Sequence, residues 1–343
     1  MKNSNVVKLF SYLVVLLLVL SSLVYGDTYT HTQIQSVDED GYGNHPDLGP
    51  YGSKVTVEGI ILNRPDFMSD ATPDEGASDV GAMWQIYIQG EGDDHAATAV
   101  WMGQCYDNVW GSGTYTNQEW LDEIYRVSHN PSTGYEFAPG DRVRVTGLLK
   151  FYGGKTNINE RHNTDPANDL TIELVEAAVG LPQLEVITLD DVKDDSNDFI
   201  FDSNREFGCE YYQGRLVKIK DVNFVDASSW GPGAEMEITD GNKTFPLKLG
   251  IGSGFRAGSN NLTEPFDVVG IFDQEGGLKD NYRIWVLNYD GNGKVLTDRG
   301  YARYNLPGEI NRDGKVDFID FAWLADNWLK CVPGSGACGG GAD

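Results

Sequence analysis

The residues best suited to chemistry lie near the C-terminus, where oxygen-bearing side chains alternate with other residues. If Glu309 is position 1 of a calcium loop, Gly314 falls at position 6, where such loops turn sharply. A hard cation binds about six to eight oxygen atoms, so this spacing predicts a Ca²⁺ site. The predicted ligands are Glu309, Asn311, Asp313, Lys315 through its backbone carbonyl, Asp317 and Asp320.

A simpler interpretation is a polar turn that precedes a helix. Apolar residues recur at helical spacing over residues 318–329. Asp317 would then cap the helix, and Asp320 would complete its first turn. Capping explains these two acids, but it leaves the residues at loop positions 3, 5 and 6 without an explanation. We therefore favour calcium binding.

The same stretch, residues 308–329, resembles a dockerin repeat, whose calcium loop ends in Asp. The resemblance implies Ca²⁺ as the cofactor and a cohesin-like protein as a partner. Two features depart from the dockerin pattern: Glu309 replaces the usual Asp, and a second repeat is not evident. Residues 288–293 match the start of another loop, but Leu296 and Arg299 stand where its last ligands should be. We interpret residues 289–293 as a turn.

No set of residues in the sequence has the spacing of a catalytic site. The five histidines are scattered, and there is no His-Glu-x-x-His, no Gly-x-Ser-x-Gly and no P-loop. The acidic cluster at residues 91–95 is interpreted as a charged hairpin tip rather than a cation site. The sequence therefore predicts a protein that is not an enzyme.

The elements before the calcium loop are mostly short strands with one apolar face. Alternation over residues 55–61, 84–89 and 143–149 predicts half-buried antiparallel strands, and residues 97–102 predict a shorter one. Asn117 can cap a helix that carries Trp120, Ile124 and Val127 on one side. Residues 171–175 are predicted to form the closing strand.

A second block repeats the strand pattern without the helix. Its five predicted strands cover residues 216–222, 235–238, 245–249, 266–272 and 284–287. The connection over residues 250–263 is rich in Gly and Asn and predicts no helix. Two successive blocks of five strands indicate an internal repeat.

Both blocks resemble the OB-fold domains of exported bacterial proteins. The segments that carry the resemblance are residues 55–59, 84–89, 140–147 and 151–154 in the first block, and 214–219, 238–241 and 265–270 in the second. The resemblance implies a mainly β fold with two tandem five-stranded OB-like barrels, followed by a short C-terminal loop-helix (EF-hand-like) element. A β-sandwich with the same number of strands is the structural alternative.

Exposed aromatic residues in OB clefts stack on sugars or bases. The candidate ligand-binding residues are Tyr87, Trp101, Phe151 and Tyr152. Core packing is the alternative for Trp101. The formal net charge of −26 argues against nucleic acid, because nucleic-acid binding requires Lys and Arg opposite the phosphates. An oligosaccharide or another extracellular protein is the expected partner.

The N-terminus has the features of a secretory signal. Lys2 and Lys8 precede an apolar run at residues 13–20, and small residues lead to a predicted cleavage after Gly26. An uncleaved signal anchor is the alternative; beyond this segment we expect no contact with a membrane. The four cysteines suit an oxidising compartment. Cys331 and Cys338 could close a small loop, whereas Cys105 and Cys209 are either a bridge or two buried thiols.

These features divide the chain into seven parts. They are a signal peptide (1–26), an extended segment (27–50), OB-like domain 1 (51–178), an acidic linker (179–212), OB-like domain 2 (213–300), the dockerin-like repeat (305–330) and a Gly/Cys tail (331–343). We expect a secreted or cell-surface binding or matrix protein. Two alternatives stay open: a component of an extracellular system that degrades polysaccharide or nucleic acid, and a self-assembling structural subunit.

Overall fold

A computed structural model describes residues 27–48, 52–73, 82–94, 96–104, 115–160, 164–258, 260–291 and 293–298. Within these residues the chain forms two sheets of seven strands each, and five strands of each sheet close into a barrel. Among the described residues, no helix combines the length and the apolar composition needed to cross a membrane.

The first sheet is built from strands that are buried along most of their length. Its strands are β1 (Asp27–Thr28), β2 (Lys54–Ile61), β3 (Met83–Gln89), β4 (Ala97–Gly103), β5 (Arg142–Tyr152), β6 (Lys155–Asn159) and β7 (Thr171–Glu176). The barrel order is β2-β3-β4-β6-β5, and β5 pairs with β2 to close it. β4 and β6 are parallel, and the other barrel neighbours are antiparallel. β1 and β7 lie outside the barrel, on β2 and β5.

The second sheet repeats this order. Its strands are β8 (Glu185–Ile187), β9 (Leu216–Phe224), β10 (Glu235–Thr239), β11 (Thr244–Leu249), β12 (Phe266–Gln274), β13 (Tyr282–Val286) and β14 (Val295–Leu296). The barrel order is β9-β10-β11-β13-β12, and β12 pairs with β9. β11 and β13 are the parallel pair. In both barrels the first, second, third, fifth and fourth strands follow one another around a closed sheet, which is compatible with an OB-like fold.

The predicted mainly β fold with two five-stranded barrels is therefore confirmed, and the sandwich alternative is wrong because each sheet closes on itself. One strand assignment needs correction. The fifth strand of the first barrel is β6, whereas β7, predicted to close the barrel, pairs outside it with β5. β6 was not predicted because Ile158 is its one apolar residue, so the sequence shows no alternation there.

Few helices accompany the barrels in the described residues. They are α1 (His31–Ile34), α2 (Pro65–Met68), α3 (Asn117–Ser128) and α4 (Gly208–Tyr212). Thr116, rather than Asn117, caps α3: its hydroxyl accepts from the Glu119 amide, and the Glu119 carboxylate accepts from the Thr116 amide. Trp120 is fully buried under α3 and donates its indole N–H to the Ala71 carbonyl at 2.8 Å.

Residues 179–212, which the sequence analysis treats as an acidic linker, contain structure of the second unit. β8 pairs with β9, and α4 lies just before the second barrel. Cys209 in α4 is a free, buried thiol that donates to the Val192 carbonyl at 3.3 Å, and burial raises its pKa. Cys105, the other cysteine of the possible bridge, lies outside the described residues.

Candidate functional site

The outward face of β3 and β4 is the first place to look for a ligand, because OB folds bind across their second and third strands. In the first barrel this face is covered by the second barrel. Tyr87, Gln89 and Ala99 are each at most 5 % exposed. Tyr87 and Ala99 belong to one apolar cluster with residues of the second barrel, which are Leu216, Val269, Ile271, Trp285, Leu287 and Val295.

Polar contacts fix the same interface. The Leu216 amide donates to the Gln89 side chain at 3.1 Å. The Gln213 side chain donates to the Gly154 carbonyl at 3.2 Å, and the Gly276 amide donates to the Gly153 carbonyl at 3.2 Å. Apolar burial and directional hydrogen bonds together hold the two barrels as one packed unit.

The centre of the interface is a buried ion cluster around Asp273 in β12. Its carboxylate accepts from the Tyr87 hydroxyl, from Lys155 Nζ at 2.6 Å and from Arg283 Nε at 2.9 Å. Burial alone would raise the pKa of Asp273, but Lys155 and Arg283 lower it to about 2. Burial and the Asp273 charge raise the pKa of Tyr87. Each charged side chain of the cluster has an oppositely charged neighbour, so the cluster is suited to holding the barrels together.

These positions correct the predicted aromatic cleft. Tyr87 is 2 % exposed and is not accessible to a ligand. Trp101 is partly buried on β4. Phe151 is partly buried beside Tyr42, with ring centroids 6.5 Å apart, and Tyr152 is 70 % exposed. Alternation placed Tyr87 correctly on the outward face, but alternation does not show that a second domain covers that face.

The corresponding face of the second barrel is partly exposed in the described part of the chain. Glu235 and Glu237 of β10 are exposed there, opposite Lys248 and Pro246 of β11. The aromatic residue of β11, Phe245, is buried in the barrel core. This face therefore offers charged and small groups, and neither strand presents a ring on which a sugar or base could stack.

A cavity of about 730 Å³ opens at one end of the first barrel, beside α3. Its volume lies within the range of about 300–1,000 Å³ that is usual for small-molecule sites. Trp84 and Ile86 of β3 form part of its wall, and Leu121 and Tyr125 of α3 form another part. The remaining lining residues are Ile61, Asn63, Arg64, Pro65, Asp66, Ala71, Ile124, Val127, Ser128, His129, Tyr135, Glu136, Phe137, Ala138 and Pro139.

Aromatic and apolar side chains are exposed around this cavity. Tyr125 is 59 % exposed, Leu121 47 % and Tyr135 36 %. The Tyr125 ring stacks on His129 with centroids 4.0 Å apart and planes 18° apart. The sequence signal was available: Leu121 and Tyr125 are four residues apart on the side of α3 away from the buried Trp120 and Val127.

The charged groups Arg64 and Asp66 of the cavity hold each other in place. Arg64 and Asp66 form a two-pronged ion pair, with Nε–Oδ1 at 3.0 Å and Nη2–Oδ2 at 2.9 Å. Trp84 is 2 % exposed, and its Nε1 has no hydrogen-bond partner among the described residues. A buried N–H left without a partner costs about 1–3 kcal/mol.

A second cavity, of about 770 Å³, lies where the two barrels meet. Its described lining consists of Ile60, residues 89–92 and 179–186, and Arg215. The Arg215 guanidinium contacts the Glu185 carboxylate and lies 4.8 Å from the centre of the Tyr211 ring. The charge of Arg215 is therefore already paired. The described residues that line this second cavity include no aromatic residue.

The acidic hairpin tip at residues 91–94 contacts other parts of the first unit. The Asp94 carboxylate accepts from the backbone amides of His31 at 2.7 Å and Thr32 at 2.9 Å, at the start of α1. The Glu91 carboxylate pairs with Arg142 at 2.7 Å. These contacts agree with the interpretation of a charged turn.

The predicted calcium ligands at residues 309–320 lie outside the described residues. Among the described residues, one group of carboxylates has oxygens within 4.8 Å of one another, and it consists of Glu123, Glu160 and Asp169. Arg126 is bound at this cluster: its Nη2 contacts Glu123 and lies 3.2 Å from Glu160 and 4.0 Å from Asp169. The guanidinium already supplies the positive charge that a metal would bring.

The cluster is nonetheless rich in negative charge. Burial raises the pKa of Glu160 to about 7 against the attraction of Arg126, and the nearby Glu123 and Asp169 also raise it. Tyr115 donates to Glu160 at 3.3 Å, so the cluster links the residues before α3 to the barrel.

In the comparisons with known proteins, no family model and no curated protein matches this chain.

Proposed function

We propose that the chain is an exported, non-catalytic binding protein. Its two OB-like barrels form a single binding head, and the dockerin-like repeat attaches this head to another extracellular component through Ca²⁺. The observation that carries the proposal is the spacing of the predicted calcium ligands from Glu309 to Asp320.

The packed interface supports the idea of a single head. Burial of Tyr87 and Asp273 between the barrels leaves the described residues 27–298 as one unit, and the dockerin-like repeat follows it in the sequence. A binding head with an attachment segment at one end is suited to presenting a ligand site away from a surface. The non-catalytic part of the proposal rests on the sequence, which has no catalytic spacing of His, Ser or Cys.

Calorimetric titration of the mature chain, residues 27–343, with Ca²⁺ tests the attachment segment. We expect one binding site with a dissociation constant no weaker than about 10⁻³ M, which is the weak end for extracellular calcium modules. The double variant Asp313→Ala, Asp320→Ala should abolish the binding heat. The control variant Glu39→Ala, Asp195→Ala removes the same charge from exposed positions of the head and should leave it unchanged.

Unchanged heat in the loop variant, or no heat in the native chain, would overturn the calcium part of the proposal. Export is tested separately by mass spectrometry of protein secreted from a bacterial host, where we expect the chain to start at Asp27. Turnover of a glycan or nucleic-acid substrate would instead support a role in an extracellular degrading system.

A further inference from the structure

We propose that the cavity beside α3 binds a neutral oligosaccharide. This inference rests on the proposed binding function and adds to it a site and a ligand class. The site differs from the outward face of β3 and β4, which the second barrel covers.

The size and walls of the cavity fit a short glycan. A volume of about 730 Å³ accommodates a ligand of several rings, and its walls come from packed elements: Trp84 and Ile86 from β3, and Ile124 and Val127 from α3. Trp84, Ile86 and Val127 are at most 3 % exposed, so this part of the surface is fixed before a ligand arrives. A preformed site reduces the entropy lost on binding.

Exposed rings supply the stacking surface that pyranose rings require. Each sugar ring has an apolar C–H face, and Tyr125 presents an exposed ring held against His129. Tyr135 and Leu121 extend this apolar surface along the same cavity. Large exposed side chains gathered at one cavity are typical of a binding surface rather than of general solvent-facing surface.

The polar groups distinguish a sugar from a lipid. A hydroxyl group both donates and accepts hydrogen bonds. Arg64 offers donors and Asp66 offers acceptors at the rim, and their mutual ion pair holds them in place. An alkyl chain would satisfy none of these groups.

Charge favours a neutral glycan over an acidic one. Glu136 and Asp66 line the cavity, and the guanidinium that Arg64 contributes to the described lining is already paired with Asp66. The whole chain carries a net charge of −26, which repels polyanions at longer range. Uronic acids and sulfated sugars are therefore disfavoured at this site.

Isothermal titration of the full mature chain with cellohexaose, mannohexaose and xylohexaose tests the proposal. We expect at least one of them to bind with a dissociation constant below about 1 mM, and hexagalacturonate to bind more weakly than that probe. Tyr125→Ala should weaken binding roughly tenfold because it removes the stacking ring. Arg64→Ala removes the hydrogen-bond donors at the rim, and it should also weaken binding.

The matched control is Phe207→Ala, which removes an aromatic ring about as exposed as that of Tyr125, 57 % against 59 %, from a position outside the lining of the cavity, and it should leave the affinity unchanged. Unfolding curves of each variant show whether it folds like the native chain. Failure of all three neutral probes to bind, tighter binding of hexagalacturonate, or equal losses of affinity from Tyr125→Ala and Phe207→Ala would overturn the proposal.

Two outcomes separate this inference from the proposed function. If a neutral probe binds and Tyr125→Ala leaves its affinity unchanged, the protein binds glycans at another site, and only the inference fails. If the sugars do not bind but an aromatic-rich peptide library does, and Tyr125→Ala abolishes that binding, the cavity is a protein-docking site. Calcium binding at residues 309–320 is measured independently of all these variants.

Discussion

Lys155 Nζ of the first barrel lies 2.6 Å from the Asp273 carboxylate of the second, and both side chains are at most 7 % exposed. This ion pair crosses the interface that covers the outward face of β3 and β4. Its strength follows from burial, because the two charges are shielded from water and from salt. Burial also makes the pair vulnerable to the loss of either partner.

Asp273→Ala should destabilise the whole unit. The change leaves Lys155 and Arg283 buried without their main carboxylate, which typically costs about 3–5 kcal/mol. Urea unfolding measures the free energy of unfolding. The control Glu58→Ala breaks an ion pair with Arg144 in which both side chains are about two-fifths exposed, and it should cost about 1 kcal/mol or less. Equal losses of unfolding free energy in the two variants would show that the buried interface pair stabilises the protein no more than the exposed pair does.

The same carboxylate should make the protein sensitive to acid. The folded-state pKa of Asp273 is about 2, below the ordinary value of 3.8. A carboxyl group whose pKa is lowered by folding stabilises the protein fully above its unfolded pKa, and this contribution is lost as the pH falls through the folded pKa. Native protein should therefore lose more stability between about pH 4 and pH 2 than Asp273→Asn does. Thermal melts across that range test this, with Asp195→Asn as an exposed control; parallel curves for the native chain and Asp273→Asn would contradict it.

Glu160 should make the protein less stable as the pH rises, whereas Asp273 makes it less stable as the pH falls. Burial, assisted by Glu123 and Asp169, raises its pKa from 4.5 to about 7. Because the folded state holds the Glu160 proton more tightly than the unfolded state does, the protonated carboxyl contributes its full stabilisation below about pH 4.5. This contribution is lost as the pH rises through 7, where the buried carboxyl ionises. Glu160→Gln removes that loss, so relative to the native chain it should gain on the order of 2 kcal/mol between about pH 5 and pH 8. Urea unfolding measures the difference, and Glu173→Gln, a half-exposed carboxyl, should show no such gain.

The barrels could be predicted from the sequence because apolar and polar residues alternate along most of their strands, and this local pattern marks which side chains face the core. Trp84, Ile86 and Ile88 alternate with polar residues and are all buried in the first core, as expected. β6 escaped prediction because its sequence is polar apart from Ile158, although it is buried. Its burial depends on neighbouring strands and on Lys155 reaching Asp273, and no local pattern encodes such long-range contacts.

The site was harder to predict than the fold. Gln85, Tyr87 and Gln89 alternate with core residues, which places them outward but does not say whether water or protein covers them. A signal was present: Ala97 and Ala99 stand opposite them on β4, and a face without charged residues is typical of a buried contact. The α3 cavity was not predicted because residues distant in sequence, such as Arg64, Trp84 and Tyr125, form it together.

The covered face predicts that the two barrels unfold together. Val269 of β12 is 1 % exposed and belongs to the apolar cluster between the barrels. Val269→Asp places a charge there without a designed partner, which should cost about 3 kcal/mol or more and uncouple the barrels. The matched control is Val225→Asp in the same barrel, because Val225 is 52 % exposed and its replacement should be nearly neutral.

In urea, native protein and Val225→Asp should show one transition, coincident by far-UV circular dichroism and by tryptophan fluorescence. Val269→Asp should give two transitions, and each probe should follow both of them because tryptophans lie in both barrels. Identical curves for the two Asp variants would mean that each barrel folds without the other, and the covered face of β3 and β4 would then be open to a ligand.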